Sequence, residues 1–352
     1  MDSSSLVFNL IRIIFLGVFT SFLTFILTPL WTNILYKYRL GKHIREDKNA
    51  PIFMSLHQKK EGTPTMGGVL IWGGVLIVTY LFFFLNKFLD GFWGQINFVN
   101  RAQTWLVLAS MTGAAIIGLI DDLMGVFRIG PKGGGLRMRD KIIVYTLIAL
   151  IGGLWFTQKL GYDSIHFPLV GDIKLGGFYL LFFVFILVAA TFSANETDGL
   201  DGLLAGTALV TLSCLLVIAF IKGKYDLAAF IGTFIGALIA FLWFNIYPAR
   251  FFMGDTGAVA IGIIVGVISM LLDTSLYLPF FAFIWVVESL SVIIQKTYKK
   301  IKKKKLFLST PIHHHFEAKG WPETKVTMRF WIISGVFALL GLALYFLDIF
   351  LL

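Results

Sequence analysis

The amino-acid sequence predicts an all-α integral membrane protein with ten transmembrane helices. Hydrophobic residues make up 57% of the 352 residues, and charged residues make up only 14%. Soluble domains are usually about 45–50% apolar and about 25% charged, and one helical crossing of a bilayer needs about 20 apolar residues. The chain therefore has enough apolar sequence for many crossings, and we interpret residues 1–352 as a single polytopic membrane domain.

Ten apolar runs separated by polar loops give the ten helices. The runs cover about residues 6–35, 66–86, 103–120, 141–157, 176–194, 202–221, 225–244, 257–272, 276–295 and 329–352. Segment 158–175 alternates in character and contains turn residues, which is typical of a small β-hairpin. The single cysteine, Cys214, lies in an apolar run and excludes an intramolecular disulfide.

The distribution of Lys and Arg predicts how these helices are oriented. With residues at the helix boundaries included, the odd-numbered loops hold 23 of the 30 Lys and Arg, and the even-numbered loops hold six. Cytoplasmic loops of membrane proteins carry such an excess of positive charge. We therefore expect five cytoplasmic loops, with both termini and the hairpin outside. The lysine-rich stretch 299–305 should contact the headgroups of membrane lipids, and the net charge of +10 does not indicate nucleic-acid binding.

Polar residues that are unusual in a membrane protein gather in the odd-numbered loops. They are Lys60 and Thr65 in the first loop, Asp121 and Asp122 in the third, Asn195, Asp198 and Asp201 in the fifth, Asp255 in the seventh, and His313, His314 and His315 in the ninth. Acids at a membrane boundary are costly unless they are solvated, paired or bound to a metal ion. Loops far apart in sequence should therefore converge on one aqueous face and form the active site there.

The carboxylates favour a hard, oxygen-ligated cation. Mg²⁺ fits best, because it uses few protein carboxylates and keeps water and phosphate as its other ligands. Zn²⁺ fits poorly, since the chain has one remote cysteine and no matching histidine spacing. Taken singly, the adjacent aspartates could be a solvated helix end and Asp198 a helix cap. Their location on one side favours a site for metal and phosphate.

The ninth run and loop contain two further unusual features. Three consecutive histidines cannot share one face of a helix, because successive residues point about 100° apart. At most two of them should reach the site, where they would suit phosphate contact or proton transfer near neutral pH. Glu288 lies inside the ninth apolar run and needs a partner that the sequence does not identify.

These motifs together resemble the phospho-N-acetylmuramoyl-pentapeptide transferases, within the wider family of polyprenyl-phosphate N-acetylhexosamine-1-phosphate transferases. The resemblance covers nearly the whole chain through GTPTMGG at 62–68, DD at 121–122, NETDGLDGL at 195–203, PARFFMGDTG at 248–257 and PIHHHFE at 311–317. PIHHHFE is the most specific motif, because sister enzymes that use UDP-GlcNAc carry a different histidine-containing motif in that loop.

The resemblance implies a reaction at the cytoplasmic face of a bacterial cytoplasmic membrane. Undecaprenyl phosphate would attack the β-phosphate of UDP-MurNAc-pentapeptide, which gives lipid I and UMP, with Mg²⁺ as the cofactor. Direct transfer and a covalent aspartyl phosphate both stay open. Whether the chain forms a homodimer also stays open.

The resemblance also implies which residues do this. The catalytic positions match Asp121, Asp122, Asp255, His313 and His314. Asp255 matches the metal ligand, with Asp121 and Asp122 as further candidates, and Asp121 matches the carboxylate that would deprotonate the lipid phosphate. The substrate-binding positions match Lys60, Thr65, Asn195, Asp198, Gly199, Leu200, Asp201, Asn245, Phe252 and His315, with Phe252 as the uracil contact.

Two positions depart from the family pattern. Gly125 stands where the family usually has a lysine, so Arg128, Lys132 or Lys141 would have to supply that charge. Glu196 stands where the family generally has an apolar residue, and an extra acid there would alter the affinity for metal or substrate.

Two other functions stay open. A sister enzyme would transfer GlcNAc-1-phosphate to the same lipid, although PIHHHFE argues against it. A transporter or flippase would have charged or broken helices near the middle of the membrane, often in repeated halves. Only Glu288 fits that second pattern.

Overall fold

The computed structural model describes residues 3–41, 60–89, 91–131 and 134–352. Its helices are α1 Ser3–Lys37, α2 Val69–Phe88, α3 Phe92–Ile96, α4 Ala102–Val126, α5 Met138–Gln158, α6 Tyr179–Thr197, α7 Leu203–Ile221, α8 Tyr225–Asn245, α9 Asp255–Leu271, α10 Leu278–Phe281, α11 Phe283–Lys302, α12 Ile312–Ala318 and α13 Glu323–Leu351. Short 3₁₀ turns precede α6 and α10.

The long apolar helices confirm an all-α membrane architecture. Eight of the described helices are long and apolar enough to cross a bilayer, and a bent pair of helices gives a ninth span. The remaining predicted span coincides with α9, which has 17 residues. At 1.5 Å per residue α9 is about 25 Å long, somewhat less than the roughly 30 Å hydrocarbon core. The count of ten spans and their orientation stay predictions.

The ninth predicted span, 276–295, is wrong as a single straight helix. Residues Ser275–Phe281 and Phe283–Lys302 meet at an angle of 89°. The break lies at Ala282, whose φ of −112° and ψ of 38° depart from helical values. The apolar run continues through Ala282, and hydropathy alone therefore does not reveal a break at one residue.

The hairpin predicted in 158–175 is confirmed. Strands β1 Ser164–Phe167 and β2 Gly171–Lys174 pair in antiparallel fashion. Asp348 of α13 fixes the hairpin, because its Oδ1 accepts the N–H of Leu169 at 2.8 Å and its Oδ2 lies 2.6 Å from Nε2 of His166.

Helix α9 forms the buried centre of the bundle. Every residue from Thr256 to Leu271 is buried, and the helix packs against α4 and α6. A side chain on Gly118 of α4 would collide with the backbone of Asp255, so glycine is required for this close approach. The packing brings Asp255, the first residue of α9, beside the C-terminal parts of α4 and α6, which hold Asp121, Asp122 and Asn195.

Candidate active site

Asp121, Asp255 and Lys141 form an acidic centre at one end of the bundle. Nζ of Lys141 lies 2.7 Å from Oδ2 of Asp121 and also bonds Oδ2 of Asp255. The second oxygen of Asp255 accepts a hydrogen bond from Nδ2 of Asn195 at 3.1 Å, and that of Asp121 accepts the N–H of Leu136 at 2.5 Å. Two carboxylates from helices far apart in sequence therefore share one ammonium group.

Lys141 supplies the positive charge that Gly125 cannot. It lies in the first turn of α5, and its side chain is only 12% exposed. A side chain at Gly125 would enter open space, because no described atom lies within 4 Å of the point where it would begin. Of the other two candidates, Arg128 is exposed and Lys132 lies outside the described residues.

Asp122 holds the start of α9. Its two carboxylate oxygens accept the N–H groups of Asp255 and Thr256 at 3.1 and 3.0 Å. Unpaired N–H groups and the positive end of the helix dipole favour a carboxylate at this position. The expectation that the aspartate pair ends its helix is wrong, since α4 continues to Val126. Because the pair is helical, its two side chains point to different neighbours.

The first loop is paired to the seventh loop through the backbone. The N–H groups of Gly67 and Gly68 donate to the carbonyls of Phe252 and Met253, both at 2.8 Å. Side chains on either glycine would collide with this neighbouring backbone. Thr65 beside them is 3% exposed, and its hydroxyl has no hydrogen-bond partner within the described ranges. An unpaired buried hydroxyl here is suited to a substrate oxygen.

Lys60, Asp201 and Glu323 form a second charged group, the lysine-60 cluster. Nζ of Lys60 lies 2.7 Å from Oδ1 of Asp201 and 2.5 Å from Oε1 of Glu323. The other oxygen of Asp201 accepts the N–H of Ala249 at 3.0 Å. Burial by itself lowers the pKa of Lys60, but the two carboxylates outweigh burial and hold this pKa above its usual 10.5. Lys60 is therefore a permanent cation at neutral pH.

Asn245 and Phe252 complete this side of the site. Buried Asn245 accepts the N–H of Gly202 and donates to the carbonyl of Phe251, both at 3.0 Å, which joins the fifth and seventh loops. The ring of Phe252 is half-buried, and the ammonium of Lys60 lies 5.8 Å from its centre. A half-exposed ring beside a cation is suited to stack on a planar, anionic ligand.

The fifth loop is shorter than the sequence predicts. Asn195 lies in the last turn of α6, which ends at Thr197. The interpretation of Asp198 as the cap of the next helix is wrong, because Asp198 follows the end of α6 and Gly202 precedes α7. Leu200 is buried against α11 and α13.

The histidine motif forms the short helix α12. The ring centroids of His313 and His314 lie 4.0 Å apart, whereas His315 has other neighbours, as expected for three consecutive helical residues. Nδ1 of His313 lies 3.0 Å from Oε2 of Glu288, and neither side chain is exposed. His314 is also buried and pairs with Glu317 at 2.7 Å. Nδ1 of His315 instead accepts the N–H of Leu308 at 3.1 Å. Glu288 thus has His313 as its partner.

His313 also contacts the fifth loop. A side chain on Gly199 would collide with the imidazole ring of His313, so glycine is needed for the loop to approach it. The histidine motif and the NETDGLDG motif therefore lie against each other, although more than 100 residues separate them in the sequence.

Comparisons with known proteins agree with this geometry. The model of Glycosyl transferase family 4 matches residues 104–273, and that of Phospho-N-acetylmuramoyl-pentapeptide-transferase signature 1 matches residues 60–71. A phospho-N-acetylmuramoyl-pentapeptide-transferase of Geobacillus sp. (strain WCH70) is 36% identical over 335 residues, which cover 94% of this chain and 97% of the relative. The chain belongs to this transferase family.

Two further members of the transferase family show the same breadth of similarity. The transferase of Thermodesulfovibrio yellowstonii is 38% identical over 349 residues, covering 93% of this chain and 91% of the relative. The transferase of Borrelia garinii is 35% identical over 352 residues, with 94% of each chain covered. The resemblance inferred from the motifs is thus confirmed over almost the whole length.

Sequence reasoning missed the partners that hold the transferase residues in place. Glu323 is the first residue of α13 and resembles an ordinary acid in a first helical turn, yet it bonds both Lys60 and the N–H of Asp201. Glu317 was seen only as the end of the histidine motif. In the part of the chain that the structure describes, no three His, Cys, Asp or Glu side chains form a ready metal site. The acidic centre offers two carboxylates.

Proposed function

We propose that this protein transfers phospho-MurNAc-pentapeptide from UDP-MurNAc-pentapeptide to undecaprenyl phosphate, which gives lipid I and UMP in a bacterial cytoplasmic membrane. The observation that carries the proposal is the acidic centre at the ends of apolar helices, whose Asp255 follows the half-exposed Phe252 by three residues in the seventh loop. A lipid phosphate at the level of the headgroups and a nucleotide from the aqueous phase can meet there. The excess of Lys and Arg in the odd-numbered loops supports the cytoplasm as that aqueous phase.

Mg²⁺ fits the acidic centre. Asp255 and Asp121 would hold it, because Mg²⁺ uses one or two protein carboxylates and keeps water and phosphate oxygens as its other ligands. The shared ammonium of Lys141 supports a strong attraction for cations between these two carboxylates. Asp122 is better suited to orienting Asp255, since both its oxygens accept backbone N–H groups. When bound, Mg²⁺ would neutralise negative charge on the phosphate oxygens.

The protein's own residues would position the two phosphates. An oxygen of undecaprenyl phosphate attacks the β-phosphorus, and the bond between this phosphorus and the oxygen that stays with UMP breaks. Asp121 is suited to accept a proton from the lipid phosphate, because it lies in the centre itself. Asn195 and Asp122 orient Asp255, and Lys141 balances the charge of the two acids. Such a reaction depends on position and charge neutralisation.

The nucleotide would bind on the side of the lysine-60 cluster. Phe252 is suited to stack on the uracil ring, with Lys60 beside it and the unpaired hydroxyl of Thr65 directed at a polar substrate group. His313, held by Glu288, would contact a phosphate from the other side of the fifth loop. The pairing of Glu288 with this histidine also accounts for the one feature of the sequence that favoured a transporter.

The test is release of UMP by the purified protein with undecaprenyl phosphate and Mg²⁺. We expect release with UDP-MurNAc-pentapeptide, none with UDP-GlcNAc, and loss of activity when a chelator removes the metal. Release with UDP-GlcNAc alone would identify the sister enzyme instead. No release with either sugar nucleotide, from protein that unfolds cooperatively on heating, would contradict the proposal.

A further inference from the structure

A second polar cavity lies at the end of the bundle opposite to the acidic centre. It has a volume of about 120 Å³ and is lined by residues of α1 and by the first turns of α4 and α8. Thr104 lines this cavity, whereas Asp121 on the same helix belongs to the acidic centre. At 1.5 Å per residue the two regions are about 25 Å apart. We call this cavity the distal cavity.

Positive charge dominates the distal cavity. Arg12, Arg101 and Lys224 line it, and Asp226 is the one carboxylate among its described lining residues. Asp226 lies 2.9 Å from an Nη atom of Arg12 and 3.9 Å from Nε of Arg101. Three basic residues and one acid in the lining give a formal excess of about two positive charges, and Asp226 pairs with the two arginines. Such a site favours an anion with more than one negative oxygen.

Arg12, which lines this cavity, has one guanidinium donor without an acceptor among the described residues. Its side chain is 8% exposed, its two Nη atoms bond Asp226 and the carbonyl of Gln95, and its Nε has no acceptor among residues 3–41, 60–89, 91–131 and 134–352. A buried donor of a charged group without an acceptor is costly. Arg12 is therefore a buried cation at the wall of the cavity, with Asp226 as its paired carboxylate.

Two helix N-termini point to the same cavity. α4 begins after Arg101, and α8 begins after Lys224, and no described side chain caps either helix. The N–H groups and the dipole at a helix N-terminus favour anions, and phosphate groups commonly bind there. Asp226, in the first turn of α8, already interacts with this positive helix end and should therefore compete with a bound anion.

Lys224 also lines the cavity, and its ammonium donates to the carbonyl of Leu271. Burial lowers the pKa of this ammonium, although Asp273 partly offsets the effect. The cavity volume equals that of about four water molecules at about 30 Å³ each. A tetrahedral phosphate group with some remaining water fits this space.

We propose that the distal cavity binds a phosphate group, either on an anionic phospholipid or as free phosphate. This site is separate from the transfer reaction and does not depend on the proposed function. Arg12 and Arg101 would contact the phosphate oxygens through their guanidinium groups, and the first turns of α4 and α8 would donate backbone N–H groups.

The test uses the full-length protein in nanodiscs of phosphatidylcholine. Binding of inorganic phosphate is measured by calorimetry, and binding of phosphatidic acid is measured by native mass spectrometry, with and without inorganic phosphate as competitor. If inorganic phosphate displaces bound phosphatidic acid, the headgroup of an anionic lipid occupies the distal cavity. If inorganic phosphate binds and phosphatidic acid does not, the ligand is free phosphate. Failure of both probes to bind overturns the proposal.

Variants connect the binding to the distal cavity. Arg101→Gln removes a side chain that is 72% exposed and should weaken binding about fivefold, whereas Asp226→Asn removes the competing acid and should strengthen binding. Lys174→Gln is the matched control, since Lys174 is 78% exposed in the hairpin and does not line the cavity. Should Asp226→Asn fail to fold, Arg101→Gln alone decides. Equal affinity in wild type, Arg101→Gln and Lys174→Gln overturns the proposal.

Discussion

Two lysines in this protein each bridge two carboxylates, but their surroundings differ. Lys60 bridges Asp201 and Glu323, and the carboxylate of Asp201 is only 3% exposed. Its second oxygen accepts a backbone N–H, which cannot move without moving the chain. Lys141 bridges Asp121 and Asp255, and Asp255 is 21% exposed. The Asp255 carboxylate bonds the side chains of Lys141 and Asn195.

For Asp201 and Asp255, the kind of partner separates a structural carboxylate from one that can exchange its contacts. Asp121 is intermediate, since it bonds Lys141 and also accepts the backbone N–H of Leu136. Side chains can exchange their bonds for a ligand at small cost, whereas a backbone donor left unpaired in a buried place costs about 1–3 kcal/mol. The lysine-60 cluster therefore joins three loops permanently. Asp255 is therefore the carboxylate of the acidic centre that is best suited to exchange its contact with Lys141 for the proposed metal ion.

Asp255→Asn should have the largest effect on turnover. The variant removes one charge from the proposed metal site while keeping the shape, so we expect the rate of UMP release to fall on the order of 10³-fold. Asp163→Asn, just before β1, is the matched control and should retain the wild-type rate, because the side chain of Asp163 is 46% exposed and forms an ion pair with exposed Lys174. A folded Asp255→Asn protein with near wild-type turnover would refute the role of the acidic centre.

Lys141→Gln should reduce turnover about 100-fold and also lower the Mg²⁺ concentration that gives half the maximal rate. The ammonium balances the charge of both acids, but it also competes with the metal for the same oxygens. The measurement is the rate of UMP release as a function of Mg²⁺ concentration. A higher Mg²⁺ requirement in Lys141→Gln would show that the lysine helps the metal to bind rather than competing with it.

Asp201→Asn should affect stability more than chemistry. The amide keeps one acceptor oxygen but loses the charge that pairs with Lys60, so we expect the free energy of unfolding to fall by about 2 kcal/mol. Turnover should change by less than about tenfold. Thermal unfolding and UMP release of the same preparation check both expectations. A loss of turnover as large as that of Asp255→Asn, at unchanged stability, would remove the distinction between the two lysines.

The pH dependence of the lysine-60 cluster should be the smallest effect. The raised pKa of Lys60 means that its stabilising charge is fully present below about pH 10.5 and is lost as the pH rises through the folded-state pKa. The difference in melting temperature between wild type and Lys60→Met should therefore be constant from pH 6 to 9. A difference that shrinks between pH 6 and 9 would contradict the assigned pKa direction.

The sequence predicts the carboxylates of the candidate site better than the contacts that hold them in place. Asp121 and Asp255 stand out, because acids beside long apolar runs are rare. Lys141 was only one of three candidates, since a lysine at a helix start is ordinary at a membrane boundary. Glu323 was missed, because its contact with Lys60 spans 263 residues and leaves no local pattern. The bend at Ala282 was missed for a different reason, because one residue outside helical geometry does not interrupt an apolar run.

Direct cation binding tests the central distinction between the two lysines. Mn²⁺ can replace Mg²⁺ as a spectroscopic probe, and its binding is measured by electron paramagnetic resonance in wild type, Asp255→Asn and Asp201→Asn. We expect wild type and Asp201→Asn to bind Mn²⁺ that Mg²⁺ displaces, and Asp255→Asn to lose this binding. Retained binding in Asp255→Asn together with loss in Asp201→Asn would place the cation at the lysine-60 cluster and contradict the account.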